Sequence, residues 1–324
     1  MKNLRKLTTA VLILLTATFL TSCDDDDDNA VASENTAYDF LENNPNYSSL
    51  KAAVDAAGLR STLEGNGDFT IFAPDNDAFE AFINNSDEFD ELAQVPITTL
   101  QSLLLYHILG TEITSSAFAN GYIKTAANNG SNSLDAYISA DNTTINGVAL
   151  DATALDIEVD NGVIHAVQGV LPMPTVADLA AYNPDFSNLV TALSRENLVE
   201  ALSTADVNAT PPSPFTVFAP TNDAFQALID ADANDSLNDI NDVLGLSNLS
   251  DILLYHVVAG DEVRSDELSD NLTVDPITTG TFTVNITGGA TITDGFATTT
   301  NIVVTDVTGT NGVVHAIDFV LRPM

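Results

Sequence analysis

Residues 69–83 read FTIFAPDNDAFEAFI, and residues 215–229 read FTVFAPTNDAFQALI; eleven of the fifteen positions are identical. Each copy opens on apolar strand formers, stops at a proline (Pro74, Pro220) and runs on into residues that cap and build a helix. Three more blocks recur in the same order. Asn44–Leu50 (NPNYSSL) returns as Asn183–Leu189 (NPDFSNL), Leu104–His107 (LLYH) as Leu253–His256, and Asn161–Leu171 (NGVIHAVQGVL) as Asn311–Leu321 (NGVVHAIDFVL). The offsets of the four pairs are 139, 146, 149 and 150 residues. A period that long belongs to tandem whole domains, not to the short units of a solenoid.

Within one copy the pattern changes from helix to strand. Thr36–Glu42 and Ser48–Ala57 are expected to be helical; Leu50, Ala53, Val54 and Ala57 share one face, and Gly58 stands where a helix stops. Phe69–Ala73 is expected to be a strand. Asn76 or Asp77 then caps a helix bearing Ala78, Phe79, Phe82 and Ile83. Pro96 opens a further helix with Ile97, Leu100, Leu103, Leu104 and His107. From Ile113 onward, Tyr122–Thr125, Ser133–Ser139, Thr143–Leu150, Ile157–Val159 and Val163–Leu171 alternate, with turns expected at Asn146-Gly147 and Asn161-Gly162. The class that follows is α+β, a sheet or sandwich carrying a helical layer. The second copy starts near Thr175 and adds a proline-rich loop, Asn208–Pro214. The linker Pro172-Met173-Pro174 is short and stiff, which predicts a limited range of orientations for the two modules.

The chain has 324 residues and a formal charge of −37. Its first 22 residues read as an address: Lys2, Arg5 and Lys6 precede the apolar stretch Leu7–Leu20, which is too short for a good membrane span. Leu20-Thr21-Ser22-Cys23 resembles a bacterial lipobox, in which Cys23, the only cysteine, is acylated. One cysteine also excludes an internal disulfide framework. Residues 23–33 read as an acidic tether. Its run Asp24–Asp28 is similar to the signal that sends lipoproteins of Bacteroidetes to the outer face of the outer membrane. Without residues 1–22 the chain holds 46 acids against six bases. Such a field disfavours nucleic acid and anionic lipid surfaces. Contact with a membrane is therefore expected through the lipid anchor only. With 45% hydrophobic residues the folded part has enough apolar side chains for ordinary cores.

The repeated blocks resemble the fasciclin domain family, over residues 34–173 and again over 174–324. Its Thr-x-Phe-x-Pro turn followed by Ala-Phe appears as Thr70, Phe72, Pro74, Ala78, Phe79 and as Thr216, Phe218, Pro220, Ala224, Phe225. Its Tyr-His pair appears as Tyr106-His107 and Tyr255-His256. Its Asn-Gly-Val-(Ile/Val)-His block appears as Asn161, Gly162, Val163, Ile164, His165 and as Asn311, Gly312, Val313, Val314, His315. The resemblance implies two tandem α+β domains, each a β-wedge or sandwich with a flanking helical layer. It also implies adhesion or extracellular-matrix binding instead of catalysis. In animal relatives the Tyr-His region and an Asp-Ile dipeptide are associated with integrin binding. Asp156-Ile157 and Asp306-Val307 match that dipeptide, but the surrounding residues differ, and the partner is not carried over. The two aspartates are read as local hydrogen-bond acceptors.

All four histidines, His107, His165, His256 and His315, lie in the repeated blocks and in apolar runs. A zinc site wants three or four ligands at suitable spacing. No second cysteine, HExxH or shared carboxylate cluster accompanies the histidines, so a structural role inside the fold is expected, with no metal and no cofactor. A reaction using them would need two titratable groups at one cleft. Asp77 and Asp223 are read as helix caps. Asp230-x-Asp232-x-Asn234 begins like a calcium loop, but Asp235 and Asn241 replace the glycine and glutamate that such a loop needs; Asp235, Asp239 and Asp242 read as a solvated face. No nucleophile motif is present. The expected function is a surface-anchored, non-catalytic adhesion lipoprotein that binds a matrix or cell-surface protein or glycan. The alternative is a polysaccharide- or ligand-binding component of a surface uptake system.

Overall fold

The computed structural model of the chain describes residues 35–86, 89–130, 132–141, 143–234 and 236–324. The expected leader over residues 1–22, Cys23, the expected acidic tether and Asp235 lie outside the described residues.

The first module enters through the helix Ala37–Asn43. Thr36 accepts from the Asp39 amide, and the Asp39 carboxylate accepts from the Thr36 amide at 3.0 Å, a reciprocal capping box. Thr175 and Asp178 repeat it at the helix Val176–Tyr182. The helix Ser48–Ala57 buries Leu50, Ala53, Val54 and Ala57 and stops at Gly58, which has φ +70°.

The strand Phe69–Pro74 is the centre of the module. It pairs antiparallel with Ile108–Leu109 and parallel with Gly162–Val167, in register from Phe69 opposite Gly162 to Pro74 opposite Val167. The strand Ile157–Val159 completes this sheet beyond Gly162–Val167. The central strand is covered on both faces. Ile71 and Ala73 pack on the helical layer with Tyr38, Leu50, Val54 and Leu104. Phe72 packs on the opposite side with Tyr106, Leu134, Ala136 and Ile145. A strand buried on both faces reads as an unbroken apolar run, which is why FTIFAP does not alternate. The second sheet runs Gly121–Asn128, Ser133–Ser139, Thr144–Ile145, Val148–Ala149. Its last two strands flank Asn146 (φ 49°) and Gly147 (φ 75°), a two-residue turn in which both central residues take positive φ.

Two local expectations change. Asn161-Gly162 is not the centre of a turn: Val159 pairs with Gly162, so Asp160 and Asn161 form the turn and Gly162 starts the strand. Glycine stands there because the chain comes too close for anything else. A Cβ on Gly162 would lie 2.0 Å from the Phe69 carbonyl oxygen, and one on Gly312 would lie 2.0 Å from that of Phe215. Nor do Asn76 or Asp77 cap the helix Asn76–Asn84. Asp75 accepts from the Ala78 amide at 2.8 Å, and Thr221 does the same work for Asn222–Asp230. Asp77 and Asp223 sit two residues past the capping position, inside the first turn.

The second module repeats the plan, with Phe215–Pro220 between Val257–Ala259 and Gly312–Ile317. Its strand Thr299–Gly309 has eleven residues, against three in Ile157–Val159. It pairs with Thr291–Thr293 at its start and with Gly312–Ile317 at its end, so both layers join in one seven-stranded sheet. Register shifts at Val304 let one strand serve both layers.

Contacts well beyond the linker join the modules. Asp135, on Ser133–Ser139, is buried and accepts from Lys124 Nζ and from the Thr308 amide of the second module at 2.6 Å. Lys124 also donates to the Asp306 carbonyl at 2.8 Å, and the Tyr122 hydroxyl donates to the Leu179 carbonyl at 2.8 Å. Asn129 donates to the Gly309 carbonyl at 3.1 Å. A hairpin of the first module thus lies on the long strand and first helix of the second, with Tyr122 packed against the second module's core.

Candidate functional site: the repeated Tyr-His and Asn-Gly-Val-His blocks

Thr70 and Thr216 are buried on the central strands. The Thr70 hydroxyl donates to the Thr111 carbonyl at 2.7 Å and accepts from the Ile113 amide at 2.8 Å. Thr216 makes the same pair with Asp261 and Val263. One hydroxyl therefore fastens the loop that follows the edge strand. Phe72 and Phe218 are fully buried and lie beside His165 and His315, with ring centroids 5.8 and 5.4 Å apart. Pro74 and Pro220 close the two strands.

The histidines divide into two kinds. His107 donates from Nδ1 to the Leu103 carbonyl at 2.7 Å, one helical turn back, and its Nε2 accepts from the Leu171 amide at 2.8 Å. His256 does the same with Ile252 and Leu321. His165 uses the other tautomer. Its Nε2 donates to the Ile113 carbonyl at 2.9 Å, and its Nδ1 accepts from the Asp156 amide at 3.2 Å. His315 repeats this with Val263 and Asp306. In all four rings both nitrogens are occupied by backbone, so a proton can be added only by breaking a bond. Burial lowers the pKa of all four, to about 4 for His107 and His256.

Asp156 lies 3.9 Å from the Nδ1 of His165, a spacing that invites comparison with a catalytic dyad. The chemistry is different. Nδ1 carries no proton, and the carboxylate is taken by Ser115, whose amide donates to it at 2.6 Å and whose hydroxyl donates to its second oxygen. Those bonds hold the Asp156 carboxyl below the usual range. Asp306 bonds Ser265 in the same way. Both aspartates take positive φ, 53° and 61°, which turns their amides toward the imidazoles.

The Tyr106 hydroxyl donates to the Asp135 carbonyl at 2.7 Å and accepts from Asn146 Nδ2 at 2.6 Å. Tyr255 donates to the Thr281 carbonyl at 2.6 Å. Tyr106 links the helices to the second sheet, and Tyr255 links them to the residue before the strand Phe282–Asn285. Asn161 accepts from the Ala37 amide at 2.9 Å and donates to the carbonyls of Leu63 and Gly65, both at 2.8 Å. Asn311 binds Val176, Leu202 and Thr204 likewise. The repeated polar side chains are not gathered at one cleft. Each ties together segments far apart in sequence, once per module.

Asp232 accepts from the amides of Asn234, Ser236 and Leu237, so its carboxylate is engaged by its own loop. Among the described residues no group of three or more His, Cys, Asp or Glu is placed to hold a metal ion. The polar side chains of the seam were not singled out from sequence. The signal was the scarcity of bases: Lys124 and Arg264 are two of the six beyond residue 22, and Arg264 donates to Glu262 at 2.7 Å and to Thr308 at 3.2 Å.

The fasciclin domain pattern matches the chain twice, over residues 45–174 and 184–323. The chain belongs to the fasciclin domain family. The fasciclin chain is 30% identical over 292 residues to the transforming growth factor-beta-induced protein ig-h3 of Sus scrofa, covering 85% of this chain and 36% of that protein. It is 31% identical over 194 residues to periostin of Homo sapiens, 58% of this chain and 21% of that one. Protein sll1483 of Synechocystis is 36% identical over 156 residues, 46% of this chain and 73% of that protein. The chain thus spans about a third of ig-h3 and a fifth of periostin. Among solved structures, a FAS1 domain pair from the insect cell adhesion molecule fasciclin I is similar, with 20% identity, TM-score 0.47, and coverage of 88% of this chain and 95% of that one. Among the described residues no helix is long and apolar enough to cross a membrane.

Proposed function

We propose that the chain is a surface-anchored adhesion lipoprotein. Two non-catalytic fasciclin modules, residues 34–173 and 174–324, present binding surfaces to an extracellular-matrix or cell-surface protein or glycan. Fasciclin domains are cell-adhesion modules, and the whole described chain is built from two of them. The observation that carries the non-catalytic reading is the duplicated pairing of every imidazole nitrogen with backbone. A general base needs a free lone pair facing substrate, and these rings have none. The motif residues Thr70, Tyr106, His107, Asn161 and His165, with Thr216, Tyr255, His256, Asn311 and His315, therefore organise the interior. Cys23 and its acidic tether supply the anchor; acyl chains at about 0.8 kcal/mol per buried methylene hold such a protein to a membrane.

The test is attachment of cells to immobilised matrix protein and to polysaccharide, with protease shaving of intact cells. Cells carrying the wild-type chain should bind matrix and release fragments on shaving. A Cys23→Ser chain should leave the membrane fraction and lose attachment. Binding to polysaccharide alone would favour the uptake reading. Unchanged attachment by cells lacking the chain would remove both.

A further inference from the structure

The two modules differ where the long strand Thr299–Gly309 passes the seam, and that difference exposes an apolar surface. Val303 and Val304 are 53% and 43% exposed. At the repeat offset the first module has Thr153 and Ala154. Beside the valines lies a cavity of about 150 Å³, lined by Tyr122 of the first module and by Phe186, Val303, Val304, Val307 and Val314 of the second. Tyr122 is held there by its bond to the Leu179 carbonyl, so the cavity's wall comes from both modules. The cavity shares Asp185, Thr221 and Val303 with a groove of about 270 Å³ that also carries Asp223 and Asp318. Among the described residues lining the two spaces there is no lysine or arginine. Asp185 and Asp318 stand where the first module has Asn46 and Gln168, so two of the three carboxylates, like the valines, belong to the second copy alone, while Asp223 has Asp77 as its counterpart.

A mostly apolar pocket the size of one side chain, with Asp185, Asn183 and Thr221 also in its wall and further carboxylates beside it, is complementary to a particular kind of ligand. We infer that the seam binds an extended polypeptide segment carrying one large apolar side chain flanked by lysine or arginine. The apolar side chain fills the cavity between Tyr122 and Val304. The cationic groups lie along the groove, facing Asp185 and Asp223. Asp318 is already bonded to Asn301, so it adds charge more than a new hydrogen bond. This inference rests on the adhesion reading for the partner's being a protein, but its test does not use attachment.

The probe is a capped hexapeptide with phenylalanine between two lysines, titrated into the full chain and followed by amide chemical shifts. Saturable shifts at Tyr122, Asp185 and Val303–Thr305 support the site. So does an affinity lowered about tenfold by V303T/V304A, which installs the first module's residues, and severalfold by D185N, which installs Asn46's amide. Both variants substitute exposed side chains with those already accepted at the same place in the repeat, so folding is retained. Equal affinity for a peptide with glutamine in place of lysine overturns the charge argument. Shifts spread over the acidic surface without saturation overturn the site. Self-association abolished by V303T/V304A makes a second copy the occupant and overturns the peptide assignment. A saturating seam with failed cell attachment leaves this inference standing and removes the adhesion reading.

Discussion

The Nε2 of His107 accepts a hydrogen bond from the backbone amide of Leu171, 64 residues later and 2.8 Å away, and the His256–Leu321 pair repeats it. The amide lies just beyond the last strand of each module, and the ring lies at the end of the helix that precedes the edge strand. One lone pair thus closes the module on itself.

Acid should open that closure. Burial lowers the folded-state pKa of His107 and His256 to about 4, while the unfolded rings titrate near 6.5. Between those values the unfolded chain binds more protons, so stability is full above about pH 6.5 and is lost as pH falls toward about 4. Each ring contributes roughly 3 kcal/mol over that window. Urea midpoints measured from pH 8 to pH 4 should fall most steeply there. A His107→Phe chain should be less stable at pH 8, because the Leu171 amide and Leu103 carbonyl lose their partner, at about 1–3 kcal/mol. It should also show a shallower pH slope. An unchanged slope would assign the acid response to other groups.

Gly162→Ala and Gly312→Ala should each prevent folding of one module. The added Cβ meets backbone at 2.0 Å, and backbone in a parallel strand pair cannot rotate away as a side chain can. A loss of about 4 kcal/mol or more is expected. Gly110→Ala is the control: its Cβ meets nothing within 4 Å. Circular dichroism melts of the three variants decide the matter, and a native melt for Gly162→Ala would contradict the close approach.

Asp75→Ala should cost about 1 kcal/mol, the usual loss for a helix cap, while Asp77→Ala costs a few tenths through the helix dipole alone. Asn76→Ala should exceed both, because its side chain accepts from the Ser49 amide at 2.9 Å and donates to the Pro45 carbonyl at 2.9 Å. Chemical denaturation of the three single variants gives the order, and Asp77→Ala as the most damaging would make Asp77 the cap.

The same three residues show what the sequence carries and what it does not. The central strand, the helices around Leu50 and Leu104 and the α+β class were legible, because periodicity and proline report local backbone directly. Repetition pointed to Asn76 and Asp77, which are identical in both copies, and away from position 75, where Asp in one copy and Thr in the other do the same capping work. Identity here marks a tertiary bridge, since only Asn both donates and accepts across the gap to Pro45 and Ser49. The histidines were visible as buried groups, but their opposite tautomers depend on backbone 52 and 64 residues away. The pairing across the seam was not legible, although the scarcity of bases marked Lys124 and Arg264: Asp135 and Thr308 are 173 residues apart and belong to blocks that do not repeat.

That seam supplies the last test. Asp135 is buried, and burial raises its pKa; Lys124 and the Thr308 amide oppose the rise without cancelling it. Lys124→Ala removes the cation and leaves a carboxylate facing the second module. Because Lys124 is half exposed, the loss should be smaller than for a wholly buried pair, about 1–3 kcal/mol. Its sign with pH is opposite to that of the histidines. A raised folded pKa means stability that is present below the unfolded value near 3.8 and lost as pH rises through the folded value, so the deficit of Lys124→Ala should be larger at pH 8 than at pH 4. Asp135→Asn should relieve it. The amide oxygen still accepts from Thr308 while the charge is gone, so the double variant should recover most of the loss, a coupling that a thermodynamic cycle measures directly. Two separated unfolding transitions in Lys124→Ala, merging again in the double variant, would show that this one buried carboxylate makes the modules unfold together. Equal deficits in Lys124→Ala and the double variant would mean that the hairpin is held by Tyr122 and Asn129 instead.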